Sequence, residues 1–447
     1  MKSLSLVLIF LFASCAQVPK KRTDKLSILQ GLTSIREVEF SVIAPKQSSM
    51  RFELRSQEGE VLAPEEIKKI ERDFSTWAVY KILFLRDQEK DFNLYAFENE
   101  KLVDQRLIGK GQTAPSTLRL GVISCIDDGY TTQFKIWDEL VKQRPEYVLM
   151  IGDNVYADRS SNGDAIEVTP QTLWERYLDT RLSLPFFFHQ KLIPVHSLWD
   201  DHDYGVNNGG AEFPHKDASK EIFETFFAQS LSTETWSKSF GVGGLLSMGD
   251  FNLYFLDGRY FRSKDPAGQH LGTDQHKWLI KSLKEETQPS FLIKGDQFFG
   301  GYHRFESFEG NHPQEFNTFV ADLKALGTPI TFLSGDRHLS EIMQFPRSMF
   351  GLPTFEITSS PMHARTFAGE AVKNPWRVVQ DNSHVNFTMV DNVAKDNHWF
   401  LEVQTIGEDG QVLYRRELAV YIKDLQDNLN EVRKRRHGKR RSRSRRR

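Results

Sequence analysis

Six apolar, strand-length runs in this chain each lead into a carboxylate. "LRLGVIS" runs into Cys125, Asp127 and Asp128, "YVLMIG" into Asp153, and "LIPVHSLW" into Asp200 and Asp201. "NLYFL" ends at Asp257, "SFLIKG" at Asp296 and "PITFLSG" at Asp336. A run without polar alternation is the pattern of a strand buried on both faces, as in parallel sheets covered by helices. Helical stretches such as "TTQFKIWDELVKQ" (131–143) and "TDQHKWLIKSLKEE" (273–286) lie between these runs, which predicts an α/β architecture. One Asp after a strand is an ordinary turn or capping residue. Six of them, several beside His, Asn or Cys, would gather acid along one sheet edge, where α/β folds build their sites.

The run "WDDHDYGVNN" (199–208) sharpens the problem, because Asp200, Asp201 and Asp203 crowd around His202. Adjacent carboxylates repel each other and are costly to desolvate unless positive charge neutralises them. Two metal ions bridged by one carboxylate would supply that charge and would activate water for attack on phosphorus.

Four segments occur in order after "SCIDD": "GDNVYAD" (152–158), "WDDHDYGVNN", "LDGRYFR" (256–262) and "SGDRHLSE" (334–341). Together they resemble the alkaline phosphatase D (PhoD-like) family of secreted metallophosphoesterases, over about residues 118–357. The resemblance implies a calcineurin-like fold: a two-sheet metallophosphoesterase sandwich with helices outside, preceded by a small all-β domain of immunoglobulin or fibronectin type. It implies a bimetal or trimetal centre, Fe3+ with Ca2+, with Zn2+ or Mn2+ as alternatives. Carried onto these positions, Asp153 bridges the ions, and Cys125, Tyr156, Asp201, Asp336 and His338 complete the metal shell. A thiolate and a phenolate beside hard carboxylates suit a ferric ion, and calcium suits the oxygen-rich side. His202 is the expected general acid at the leaving oxygen, and Asn208 and Arg259 are expected to contact phosphate. Asp336 and His338, two apart on an extended segment, would point the same way. "LDGRYFR" departs from the family in having Gly258 where a Thr follows the Asp, which removes a hydroxyl from that position. Arg262 is a weaker phosphate contact, and Asp257 is expected to hold Arg259. Asp296, Gln297 and His363 also stand at element ends. The implied reaction is hydrolysis of phosphate mono- or diesters by metal-activated hydroxide, with no nucleophilic Ser or Thr.

The rest of the chain reads as packaging and address. Residues 1–15, "MKSLSLVLIFLFASC", have a signal-peptide layout that ends on a lipobox-like Cys15. This predicts export, either as a cell-envelope lipoprotein (outer membrane or periplasm) anchored only through a lipidated Cys15 or as a secreted protein. With Cys15 removed or lipidated, Cys125 is left as a lone thiol. A linker is expected over 16–30 and a β-sandwich domain over 31–113, where short alternating runs prevail, with one helical insertion at "PEEIKKIERD" (64–73). The phosphatase domain is expected over 114–420. Residues 421–447 read as a helix dissolving into a disordered tail whose last fifteen residues carry eleven Arg or Lys and no acid. Such a tail would bind an anionic envelope polymer, lipid or nucleic acid. A second reading follows from it: a non-catalytic envelope lipoprotein that keeps the fold and acts through its tail.

Overall fold

The computed structural model describes residues 21–422, apart from 35, 87–89, 110–116, 132, 233–235, 249–250, 286–287, 304, 370–371 and 396–397. The signal segment, Cys15 and the basic tail lie outside the described residues. The chain is mixed α/β with four sheets. Two four-stranded antiparallel sheets come first, in the orders Ser27–Thr33, Glu37–Pro45, Trp77–Leu85, Glu66–Glu71 and Val61–Leu62, Met50–Ser56, Phe92–Glu98, Lys101–Leu107. Phe40, Phe52, Phe84 and Leu94 share the apolar core between them.

Two larger sheets follow. In the six-stranded one, Val195–Leu198, Tyr147–Ile151 and Arg119–Ile123 run parallel, and Asn386–Lys395, His398–Gly407 and Val412–Ile422 continue it antiparallel. The eight-stranded sheet has a parallel centre of Phe251–Phe255, Ser290–Ile293, Ile330–Ser334 and Thr354–Thr358. All five residues of Tyr147–Ile151 and of Ile330–Ser334 are buried, as their unbroken apolar runs require. One core joins Val148, Val195 and Met389 of the first sheet to Leu253, Phe291 and Ile357 of the second. On the far face of the second sheet, Tyr254, Leu292 and Phe332 pack against Leu279 and Leu283 of the helix Thr273–Glu285 and Phe316 and Phe319 of the helix Pro313–Leu326.

Three expectations are corrected. Residues 64–73 do not form a helix: Glu66–Glu71 is a strand paired to Trp77–Leu85. Its Lys and Glu content, a helical signal in isolation, suits an exposed sheet edge, where charge discourages further pairing. The fully buried strand Ser27–Thr33 begins inside the stretch read as a linker. At the other end Val412–Ile422 is strand through the start of the expected helix, because it completes the ladder beside His398–Gly407. The rest of that expected helix lies outside the described residues.

His196 sits between the two large sheets, its ring 4.3 Å from Trp236 and 4.1 Å from Phe255, with both ring nitrogens buried and without hydrogen-bond partners. Burial holds its pKa down, from 6.5 to about 3. The folded protein therefore keeps His196 neutral where the unfolded chain would protonate it. Its contribution to stability is present above about pH 6.5 and is lost as pH falls toward 3. Across that window the group costs about 1.4 kcal/mol per pH unit. His196→Leu is expected to flatten the acid limb of the stability profile by that slope, measured by denaturant unfolding between pH 7 and 4. An unchanged slope would show that His196 is not held neutral.

Candidate metal centre

Each functional side chain leaves the end of a strand. Arg119–Ile123 leads to Cys125, Tyr147–Ile151 to Asp153 and Tyr156, Val195–Leu198 to Asp200 through Asp203, and Ile330–Ser334 to Asp336 and His338. The backbone turns sharply at these points. Among the described residues eight non-glycine positions have positive φ, and five are Cys125 (57°), Asp153 (52°), Asn208 (60°), Asp336 (63°) and His338 (49°). Left-handed backbone costs about 1–2 kcal/mol at such a residue, and it persists where the surrounding structure imposes it.

The turns bring acid together. Ligand atoms of Asp153, Asp201 and His202 lie within 4.8 Å of one another, and so do those of Asp153, Asp200, Asp201 and Asp336. Asp153 faces two ways. Its Oδ1 accepts the His202 backbone N–H at 3.2 Å, and its Oδ2 lies 3.5 Å from the Cys125 sulfur. On the sulfur side, Cys125 packs with Tyr156, whose hydroxyl is 3.1 Å from His338 Nε2. The Ser360 hydroxyl donates to the thiol at 3.0 Å. His202 stacks on Tyr156 with ring centroids 4.1 Å apart, and its Nδ1 is held 2.7 Å from Asp158 Oδ1.

The chain itself neutralises some of this acid. Asp200 Oδ1 accepts from Arg259 Nε at 2.6 Å, Asp128 pairs with Arg176, and Asp296 pairs with Lys294. Asp203 accepts from the Asn154 backbone and side chain. Asp153 and Asp336 have no salt bridge among the described residues, and the Asp200 Oδ2 atom is buried without a partner. Burial, then Asp201 and Cys125, push the Asp153 carboxyl well above the usual carboxylate range. Burial, Asp201 and Glu306 push Asp336 up to about 7. Burial also pushes Asp201 upward, but His202, Arg259 and the Asn208 N–H outweigh it and hold that carboxyl low. The Cys125 thiol is pushed up to about 12 by burial and Asp336, and burial brings His338 down to about 4. A neutral imidazole and unpaired carboxylates form a donor set that wants cations. The orphaned Asp200 oxygen and the two-sided Asp153 fit such a role.

The expected site residues fall into three groups. Cys125, Asp153, Tyr156, Asp201, His202, Asp336 and His338 lie in one region, although the chain bends after Ser334, with left-handed backbone at Asp336 and His338, and is not the extended segment expected. Asn208 donates its backbone N–H to Asp201 Oδ2 at 2.7 Å, with its residue on the cavity wall. Arg259 is a correction. It is fully buried, held by Asp200 and by Glu306 at 2.7 Å, and does not line the cavity. Asp257 accepts the Arg259 backbone N–H at 2.8 Å, a structural part as expected. Asp296, Gln297 and His363 also lie off the cavity wall. Gln297 donates to Glu341 and Thr358, and His363 Nε2 lies 3.0 Å from the Thr131 carbonyl. Two residues were missed. Asp200 stood in the quoted motif, and Asp158 closes "GDNVYAD"; the signal was the excess of Asp in those motifs.

The centre opens into a cavity of about 1130 Å³, lined on the site side by Tyr156, Asp201, His202, Asn208, Asp336 and His338. Asp153→Asn is expected to reverse sign with metal. In EDTA it should melt a few degrees above wild type, because one buried charge is gone. With metal present it should melt below wild type and retain less metal by elemental analysis, because bound ions stabilise only a competent site. Equal metal content in the two proteins would place the ions elsewhere.

No family model matches the chain, and no curated protein matches it. Among solved structures it is similar to YfcE, a phosphoesterase from E. coli, at 9% identity over 68% of this chain and 100% of that one, with a TM-score of 0.27. It is also similar to an amylomaltase from Corynebacterium glutamicum, at 15% identity over 27% of this chain and 20% of that one, with a TM-score of 0.13. Likenesses this slight specify neither the fold nor the activity of this chain.

Proposed function

We infer that this protein is a metal-dependent phosphoesterase that hydrolyses phosphate mono- or diesters, of the alkaline phosphatase D type. The observation that carries the reading is the set of buried Asp153 and Asp201 with half-buried Asp336, gathered beside His202 and His338, with Asp201 and Asp336 on the cavity wall. Cys125, Tyr156, Asp153 and His338 would hold one cation, and Asp153, Asp201, Asp336 and Asp200 a second, iron with calcium being the pair that suits these donors. When bound, the ions supply positive charge and a nucleophilic water. The chain supplies the rest. His202, its Nδ1 fixed by Asp158, keeps Nε2 for donating a proton to the leaving oxygen. Asn208 and Asn207, on the cavity wall, would meet the phosphate oxygens that face away from the acid. Aromatic Tyr156 under the His202 ring restricts that ring to one plane. Residues 1–15 would export the chain, Cys15 would anchor it, and the Arg-rich tail would keep it on an anionic surface.

Wild type should cleave p-nitrophenyl phosphate, bis-p-nitrophenyl phosphate or both; EDTA and Asp153→Asn should each abolish turnover. Cleavage of neither ester would favour the reading of a non-catalytic envelope protein. The leaving group tests His202 separately. p-Nitrophenolate departs without a proton, whereas an alkoxide needs one, so His202→Ala should lower kcat on an alkyl phosphate by about 10²-fold or more while p-nitrophenyl phosphate is far less affected. Equal losses on both substrates would assign His202 to metal binding.

A further inference from the structure

The cavity is larger than a phosphoryl group needs, since ordinary ligand pockets run to about 300–1,000 Å³ and this one measures about 1130 Å³. Its wall beyond the acid is cationic. Arg262 lines it while only 4% exposed, and its Nη1 is buried with no hydrogen-bond partner among the described residues. Its Nη2 pairs with Glu306, which also holds Arg259. Arg337 lines the same cavity, its guanidinium 4.2 Å from the centre of the Phe305 ring and its Nε buried without a hydrogen-bond partner among the described residues. Phe305 and Glu306 are consecutive, so one short segment touches both guanidiniums. Arg337 directly follows Asp336 of the acid cluster.

Buried guanidinium donors without acceptors are costly, and a native structure that keeps two at one cavity wall has a use for an anion there. Among the described residues, Arg262 pairs only with Glu306, which it shares with Arg259, and Arg337, though Asp336 and Glu341 act on it electrostatically, makes no ion pair. Arg262 and Arg337 together offer more donors than the two oxygens of a carboxylate would use, which favours a phosphate.

We propose that Arg262 and Arg337 form a second anion subsite beside the metal centre, so that the preferred substrate carries a second phosphate near the scissile phosphoester. The substrate class is thus a bisphosphorylated molecule, with one phosphate at the acid cluster and the other on the arginine wall. This inference rests on the phosphoesterase reading.

The test is calorimetric binding of propane-1,3-diphosphonate and of propylphosphonate, neither of which can be hydrolysed, to the protein as purified. Charge-assisted hydrogen bonds to the second phosphonate should make the diphosphonate bind about tenfold tighter or more. In Arg337→Gln and in Arg262→Gln that advantage should largely disappear. Arg262→Gln takes a buried partner from Glu306, whereas Arg337→Gln breaks no ion pair among the described residues, so the second variant decides the matter if the first does not fold. Equal affinities in wild type, or an advantage that survives Arg337→Gln, would overturn the proposal. Turnover is not read here, so the two readings fail separately: a protein that hydrolyses p-nitrophenyl phosphate yet binds both phosphonates alike is a phosphoesterase without this subsite.

Discussion

Burying four aspartates in one region, Asp153, Asp200, Asp201 and Asp203, with a fifth, Asp336, half-buried beside them, is the constraint around which the larger half of this protein is arranged. Isolated carboxylates in a low-dielectric interior would protonate or unfold the chain, so each needs its own account. Asp200 has Arg259 and Asp203 has the Asn154 amides. Asp201 has His202 and the Asn208 N–H. Asp153 and Asp336 are pushed toward their protonated forms, which shows that the chain alone leaves positive charge short at this one place. The shortage coincides with a cavity and with sulfur, phenol and imidazole donors. A capping or turn role would explain an exposed Asp, and it does not explain this arrangement.

Backbone strain points the same way. Residues in left-handed conformation are uncommon outside glycine, and five of the eight among the described residues fall at Cys125, Asp153, Asn208, Asp336 and His338. The strain is sustained by the sheets. The Cys125 N–H bonds the Gly152 carbonyl, Ile126 N–H bonds the Asp153 carbonyl, and the His338 N–H bonds Ser360. Neighbouring strand ends thus hold one another's turns in place.

Much of this was legible in the sequence because a parallel strand buried on both faces advertises itself, and whatever follows it emerges at a sheet edge. That logic reached Asp153, Asp201 and Asp336 together with Asp257 and Asp296, which lie off the cavity wall, and the motif resemblance was needed to single out the first three. It could not place Arg259. Two arginines three positions apart in "LDGRYFR" look alike in sequence, and only packing decides that Arg259 is sealed against Asp200 and Glu306 while Arg262 reaches the cavity. The strand Glu66–Glu71 was illegible for a related reason. Its Lys and Glu residues prefer helix weakly, and pairing with Trp77–Leu85 outweighs that preference. Local propensity fails where a long-range partner supplies the larger energy.

The antiparallel sheets at the start of the chain bear on the site through one helix. Pro170–Ser183 carries Arg176, which pairs with Asp128 and reaches the Tyr156 carbonyl at 3.4 Å. Five residues on, Arg181 donates to the Ser41 carbonyl at 3.0 Å and to Ser27 of the first sheet. The same sheet buries the pair Glu39 and Lys81, whose other partners are backbone groups at 224, 227 and 230–232. Buried ion pairs contribute little net stability, but they punish misplacement, because a shifted partner leaves a desolvated charge behind. Docked in this way, the first sheet fixes the helix, the helix fixes Asp128 and Tyr156, and Tyr156 is the wall on which His202 stacks. The antiparallel region therefore acts on the site as a buttress, and the polar character of its interface is what makes the buttress specific.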